Sequence, residues 1–188
     1  MDRSTFLTGK PGVSEKEIKK RDKKLSAKEV NERKEKISFS ALKFSMINRE
    51  FKKNITFDWE HALDFEGETG PYLQYTYARI NSILKKHGKK LEDKIDTSLL
   101  KEKEEQELIT LLSNFNDVVK KSGETYKIHL IARYLLDLAQ SFNNFYHAYP
   151  VLKADEELMK VRLLLISCVK QVIKNGLELL GINVLERM

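Results

Sequence analysis

The sequence predicts an all-α protein built as a helical bundle. The 188 residues include only three prolines and eight glycines, and apolar residues recur at spacings of three and four along most of the chain. No alternation of apolar and polar residues persists long enough to indicate a strand. Apolar residues make up 41% of the chain and charged residues 33%, a balance that suits a bundle with one core and a solvated surface.

The first part of the chain is predicted to hold a loose start, a long helix and a connection. Residues 1–13 contain two glycines and a proline and are expected to be loose. Residues 14–50 are expected to be helical, in one or two pieces, because their apolar residues follow at helical spacing. Residues 54–70 are expected to form a connection with a short helical turn near 58–64.

The next helix has clear predicted ends. Thr69 is a candidate N-cap and Pro71 fits the first helical turn, where its missing N–H costs nothing. The helix is expected to run to about His87, because Gly88 supplies a C-terminal stop.

Three further helices are predicted after a charged loop at residues 89–98. The periodic pattern places them over about residues 98–121, 126–148 and 155–180. Their expected stops are residues that leave or break a helix: Ser122 with Gly123, Pro150, and Gly181.

Composition excludes several classes of protein. No run approaches the roughly 18 consecutive apolar residues that a membrane-spanning helix needs, and the first ten residues lack the apolar core of a secretion signal. The single cysteine, Cys168, excludes an internal disulfide framework; it is expected to be a small core residue of a cytoplasmic protein. The four histidines are scattered without a cysteine at ligand spacing, so no metal site is expected.

The net charge of +6 is concentrated near the N-terminus. Residues 10–36 hold eleven Lys or Arg and six Asp or Glu, whereas residues 37–188 hold 22 and 21. The lysine-rich residues 16–36 are expected to form a solvated helix face, with contact to nucleic-acid phosphates as the alternative. Because the body of the chain is nearly neutral, any nucleic-acid site there must be local.

The helix over residues 71–87 carries two stripes of side chains. At about 100° per residue, one arc is mainly aliphatic and is expected to face the core: Leu73, Tyr77, Ile80 and Leu84. A second arc carries Tyr72, Tyr75 and Arg79, with Lys86 close to it. These tyrosines either line the edge of the bundle with their hydroxyls in water or form a stacking platform for unpaired bases. The spacing leaves both readings open.

Three stretches of the sequence occur in the order and spacing of one known family. FDWEHALDFEGETGPYLQYTYARINSIL, residues 57–84, is similar to the segment that joins the catalytic and anticodon-binding domains of arginyl-tRNA synthetases. IHLIARYLLDLAQSFNNFYHAYPVL, residues 128–152, resembles this family's H-x-L-A-x-Y-L-x-D-L-A-x-x-F-N-x-F-Y segment. RLLLISCVKQVIKNGLELLGINVLERM, residues 162–188, resembles its C-terminal helix and E-R-M ending.

The resemblance implies a helical bundle of the DALR anticodon-binding type found in class I aminoacyl-tRNA synthetases. In that family, aromatic side chains receive unstacked bases of the anticodon loop of arginine tRNA. Carried over by motif, P-Y-L-Q-Y-x-x-x-R implies Tyr72, Tyr75 and Arg79 as binding residues, and F-N-x-F-Y implies Tyr146. The E-R-M ending implies Met188 beside the anticodon pocket, while Lys86 is expected to hold backbone or base edges near Arg79.

The resemblance also implies a division of labour. No H-I-G-H or K-M-S-K-type stretch, G-x-G-x-x-G or P-loop occurs in the sequence, so the chain is expected to be the tRNA-binding part of a ligase and inactive alone. ATP and arginine would bind a catalytic domain outside it, and no cofactor, metal or membrane is expected for this part. The expected organisation is a loose segment at 1–13, a helical linker at 14–68 and the anticodon-binding bundle at 69–188.

Two other functions stay open on the sequence. One is a free-standing tRNA-binding adaptor that keeps the bundle but serves another enzyme. The other is a structural bundle that docks a protein; it predicts no affinity for tRNA and leaves the tyrosine stripe unexplained.

Overall fold

The computed structural model describes residues 26–50, 57–89 and 95–188. Within these ranges the chain forms α-helices and two short 3-10 turns, and no strand occurs, so the all-α prediction is confirmed. The α-helices are α1 (Ala27–Ile47), α2 (Trp59–Ala62), α3 (Gly70–His87), α4 (Lys103–Ser113), α5 (Phe115–Thr125), α6 (His129–Ala148) and α7 (Glu156–Leu179). The 3-10 turns lie at Thr97–Leu99 and Val151–Lys153.

The long predicted helix at 14–50 appears as α1. A capping box begins it: the Ser26 hydroxyl accepts a hydrogen bond from the Glu29 amide, and the Glu29 carboxylate accepts one from the Ser26 amide. The predicted helical turn near 58–64 appears as α2. The predictions for residues 1–13 and 14–25, and for the middle of the charged loop, lie outside the described residues.

Helix α3 has the predicted ends and occupies the middle of the bundle. The Thr69 side chain accepts a hydrogen bond from the Tyr72 amide at 3.1 Å, and Gly88 ends the helix with a φ of 71°. The helix packs on α1, α6 and α7, so most of its side chains are buried, polar ones among them.

The helix predicted at 98–121 is wrong in its start, its continuity and its end. It is two helices, α4 and α5, separated at Asn114. The Leu111 carbonyl at this break accepts hydrogen bonds from the Asn114 amide at 3.1 Å and from the Tyr134 hydroxyl of α6 at 2.8 Å. These bonds replace the regular i to i+4 pairing and so divide the helix.

The end of α5 was also predicted one turn too early. Ser122 and Gly123 lie inside the helix, and Tyr126 takes the left-handed conformation after it, with a φ of 55°. The Lys127 amide donates to the Ser122 carbonyl at 3.1 Å, which closes a Schellman arrangement. Tyrosine is uncommon at this position because its side chain crowds the backbone when φ is positive.

Helices α6 and α7 pack against each other and supply most of the core, and their positions confirm the helices predicted at 126–148 and 155–180. A buried ion pair also joins α7 to α4: the Arg162 Nε atom lies 2.7 Å from a Glu105 carboxylate oxygen. The prediction that Cys168 is a core residue is wrong, since the side chain is exposed. It lies on the outward face of α7 with Gln171, while Ile166 and Val169 on either side of it in the sequence turn inward.

Helix α3 approaches the backbone of α1 closely at Gly70. A Cβ atom at Gly70 would lie 2.6 Å from the Ser40 carbonyl oxygen and 2.3 Å from its hydroxyl. At Gly123, in contrast, a Cβ atom would meet nothing within 4 Å. The two positions therefore form a matched pair for the same substitution.

We expect Gly70→Ala to lower the free energy of unfolding by about 1–3 kcal/mol, because α1 and α3 must separate to admit the methyl group. Gly123→Ala should raise it by about 0.5–1 kcal/mol, since alanine restricts the unfolded chain without a clash. Urea denaturation followed by circular dichroism measures both. Equal effects of the two substitutions would contradict the close packing at Gly70.

Candidate nucleic-acid interface

Two faces of α3 carry polar side chains, and each face meets a different part of the protein. Tyr75 and Arg79, one turn apart, face α6. Gln74, Tyr77 and Asn81 face the residues that follow α7. The prediction that Tyr77 faces the core is confirmed, because its ring is buried.

Arg79 joins the predicted binding residues of α3 to α6. Its Nη2 donates to the Tyr75 hydroxyl at 2.9 Å, and its Nη1 donates to the Asn143 side-chain oxygen at 3.1 Å. Its guanidinium carbon lies 4.9 Å from the centre of the Tyr75 ring and 5.7 Å from that of Tyr146. We call Tyr75, Arg79, Asn143 and Tyr146 the tyrosine–arginine cluster.

The cluster has the parts of a stacking site. Tyr75, Arg79 and Tyr146 are each half-buried, so the surrounding helices fix them while part of each group faces water. The Tyr146 ring is itself stacked on Phe142, with centres 5.9 Å apart and planes 20° from parallel. Both hydrogen bonds of Arg79 go to uncharged oxygen atoms, so they leave its positive charge available to a phosphate or a base edge.

Tyr72 differs from its neighbours on the same stripe because it is buried, with 8% of its surface exposed. Its hydroxyl accepts a hydrogen bond from the Asn143 amide nitrogen at 2.8 Å. Burial raises the pKa of this hydroxyl, although the bond from Asn143 and the charge of Arg79 act in the opposite direction. The buried Tyr72 ring therefore supports the cluster through its hydrogen bond with Asn143 and does not present an open face for stacking.

Asn143 is the residue of this cluster that the sequence interpretation missed. Its amide nitrogen donates to Tyr72 and its oxygen accepts from Arg79, so one side chain fixes two of the predicted binding residues. The signal was present in the sequence, since Asn143 is the asparagine of the F-N-x-F-Y motif that pointed to Tyr146.

The other two predicted residues lie apart from the cluster. Lys86 is exposed in the last turn of α3. Met188 is half-buried and packs against a smaller apolar group formed by Val30, Ile37 and Leu185. None of the contacts found among the described residues joins Lys86 or Met188 to the tyrosine–arginine cluster.

The described residues offer neither a cluster of metal ligands nor a membrane-spanning helix. Among residues 26–50, 57–89 and 95–188, no group of three or more His, Cys, Asp or Glu side chains is placed to hold a metal ion. No helix in the described part of the chain is long and apolar enough to cross a bilayer.

Comparison with known proteins points to one family. The model of the DALR anticodon binding domain matches residues 73–188. An arginine–tRNA ligase of Clostridium botulinum is 47% identical over 154 residues, which cover 81% of this chain and 27% of the relative. One from Pyrococcus abyssi is 43% identical over 174 residues, covering 91% and 28%.

Solved structures give the same result. Arginyl-tRNA synthetase of Thermus thermophilus matches with a TM-score of 0.85 and 36% identity, over 93% of this chain and 30% of that one. The enzyme of Plasmodium falciparum matches with a TM-score of 0.76 and 28% identity, over 85% and 28%. The chain thus spans less than a third of the length of these relatives.

Because Tyr72 is more deeply buried than Tyr75, we expect the two hydroxyl groups to contribute differently to the free energy of unfolding. Tyr72→Phe should lower the free energy of unfolding by about 1 kcal/mol, because the Asn143 amide loses a buried acceptor. Tyr75→Phe should cost less than about 0.5 kcal/mol, because water can replace a half-exposed hydroxyl. Urea denaturation at neutral pH compares the two, and a larger loss for Tyr75→Phe would contradict the supporting role of Tyr72.

Proposed function

Because this chain belongs to the DALR anticodon-binding domain family, we propose that it binds the anticodon loop of arginine tRNA. The observation that carries the proposal is the tyrosine–arginine cluster. The cluster brings together residues of α3 and α6, and Tyr75 and Tyr146 are 71 positions apart in the sequence. The two rings and the Arg79 guanidinium lie close together and are partly exposed. The names of the relatives, all arginine–tRNA ligases or arginyl-tRNA synthetases, support arginine tRNA as the ligand.

In the proposed mechanism, bases of the anticodon loop leave their stack and rest on Tyr75 and Tyr146. Aromatic faces accept any base, and a base stacked on a protein aromatic contributes about 1–3 kcal/mol as judged by truncation. Arg79, whose guanidinium carbon lies 4.9 Å and 5.7 Å from the centres of these two rings, would contact a base edge or a phosphate. Because Arg79 is already held by Tyr75 and Asn143, little side-chain entropy is lost on binding.

The other predicted residues take subsidiary roles in the proposal. Tyr72 fixes Asn143 from below, and Lys86 on the exposed end of α3 adds charge for the tRNA backbone. Met188 is proposed to border the anticodon site through the C-terminal residues. Contact between tRNA phosphates and the basic residues 16–36 remains an alternative role for that segment.

We further propose that the chain acts as one part of an arginine–tRNA ligase. Bound tRNA would be positioned so that its acceptor end reaches a catalytic domain elsewhere in the protein, where ATP and arginine bind. On this proposal the chain has no ligase activity of its own. The cytoplasmic location and the boundaries at residues 13 and 68 stay predictions.

Affinity for arginine tRNA tests the proposal. We expect Tyr75→Ala and Tyr146→Ala each to weaken binding by about 5- to 150-fold, the equivalent of one lost stacking contact. The double variant should lose less than the product of the two, because both rings contact Arg79. Binding is measured at two salt concentrations, so that phosphate attraction can be separated from base recognition.

Tyr126→Ala is the matched control, because Tyr126 is a tyrosine that is 85% exposed and lies away from α3 at the end of α5. It should bind like the parent. A second comparison uses arginine tRNA with its anticodon loop substituted, which should bind more weakly than the natural loop at both salt concentrations. The proposal fails if the Tyr75 and Tyr146 variants remain folded and bind as tightly as the parent.

A further inference from the structure

The seven residues that follow α7 and its closing turn form a C-terminal tail, residues 182–188, laid along the second polar face of α3. Gly181, with a φ of 66°, turns the chain out of the helix, and the Ile182 amide donates to the Leu177 carbonyl at 2.8 Å. Ile182 and Leu185 are buried, which fixes one side of the tail against the bundle.

Three polar side chains of α3 bind the other side of the tail. Gln74 donates to the Asn183 carbonyl at 2.7 Å, and Asn81 donates to the Glu186 carbonyl at 2.9 Å and to its carboxylate at 2.6 Å. The Tyr77 hydroxyl donates to the other carboxylate oxygen of Glu186 at 3.0 Å. All three donors are 3% exposed or less, so these bonds replace contacts with water that α3 gives up by burial.

Two lysines also act on the carboxylate of Glu186. Lys85 lies 3.6 Å from it, and Lys170 of α7 donates to the Asn81 side-chain oxygen at 2.7 Å. Partial burial acts to raise the pKa of Glu186, but the Tyr77 hydroxyl, the two lysines and Asn81 together outweigh burial and lower it. These contacts therefore favour the charged form of Glu186.

The contacts along α3 fix the direction of the tail. Asn183 lies at Gln74 and Glu186 lies at Asn81, so the tail runs parallel to α3, toward the end that carries Lys85 and Lys86. Arg187 and Met188, the last two residues, come directly after Glu186 in the sequence. Neither residue lies in a helix, so their position depends on the Glu186 contact and on the packing of Met188 against Val30, Ile37 and Leu185.

We propose that Tyr77, Asn81 and Glu186 form a latch that positions the last residues of the chain, Arg187 and Met188, for contact with tRNA. They are positioning residues: they act through the tail and need not touch RNA. This inference rests on the proposed function, since it assigns the tail a part in tRNA binding. It also gives a role to the second polar face of α3. On one face the helix carries Tyr75 and Arg79, which are proposed to bind RNA, and on the other it carries the buried Gln74, Tyr77 and Asn81.

Glu186→Gln and Tyr77→Phe test the latch with little change of shape. Each should speed hydrogen exchange of the tail amides by about three- to thirtyfold, the effect of weakening one partly exposed charge-assisted hydrogen bond. Glu124→Gln is the control with the same change in charge, because Glu124 is exposed on α5. It should leave exchange in the tail unchanged.

Affinity for arginine tRNA supplies the second readout. Removing a negative charge alone should strengthen binding to RNA slightly, as we expect for Glu124→Gln. Glu186→Gln should instead weaken it, because the tail is released. In a chain shortened by residues 187 and 188, Glu186→Gln should have no further weakening effect, because the residues it positions are gone.

A spectroscopic readout follows the latch at Tyr77 itself. Burial, the hydrogen bond to Glu186 and the charges of Glu186 and Glu178 raise the pKa of Tyr77 to about 12. Glu186→Gln removes two of these causes, so the pKa of Tyr77 should fall toward its usual value of about 10. Carbon-13 spectra of labelled tyrosine rings report this titration in the folded protein.

Faster exchange together with weaker binding that vanishes in the shortened chain supports the proposal. Unchanged exchange in both variants overturns it, as does faster exchange with parental affinity for tRNA. Failure of the proposed function is distinguishable: in that case the parent itself does not prefer arginine tRNA with its natural anticodon loop. If the parent shows that preference and Glu186→Gln binds as tightly, only the latch is wrong.

Discussion

The burial of α3 between α1, α6 and α7 is the constraint on which the rest of the structure depends. At Gly70 the helix approaches α1 too closely for a side chain, and along its length it takes polar side chains out of water. A buried polar group without a hydrogen-bond partner is costly. Most of these groups have one, although the Gln74 side-chain oxygen has none among the described residues. Those partners come from different elements: Asn143 from α6, Lys170 from α7, and Asn183 and Glu186 from the C-terminal tail.

This requirement links packing to recognition. The partner that satisfies Tyr72 also fixes Arg79, and Arg79 in turn lies against the rings of Tyr75 and Tyr146. The proposed stacking surface is thus ordered by interactions that the fold already needs, before any RNA arrives. A preorganised surface loses less entropy on binding than one that must be assembled. On the opposite face of α3, hydrogen bonds from buried polar side chains hold the C-terminal tail in the same way.

The features that could be predicted from the sequence are those that depend on residues close together in the chain. Thr69, Pro71 and Gly88 mark the ends of α3 because capping and helix termination depend on neighbouring residues alone. The break at Asn114 depends on the hydroxyl of Tyr134, and the pairing of Glu105 with Arg162 joins residues 57 positions apart, so neither follows from a local pattern. A helical wheel placed Tyr72 on the same stripe as Tyr75 and Arg79. The wheel gives the direction of each side chain but not the residues that cover it, so it could not show that Tyr72 is buried. The family motifs identified Tyr146, whereas the role of Asn143 as a bridge required the three-dimensional arrangement.

Photo-crosslinking tests the central claim most directly. Arginine tRNA with a photoreactive base in its anticodon loop would be bound to the intact chain, irradiated, and the attached peptides identified by mass spectrometry. If the cluster receives unpaired bases, the crosslinks should lie on the peptides that contain Tyr75 and Tyr146, and excess unlabelled arginine tRNA should remove them. Crosslinks confined to the lysine-rich part of α1, or to the peptide containing Tyr126, would contradict the account.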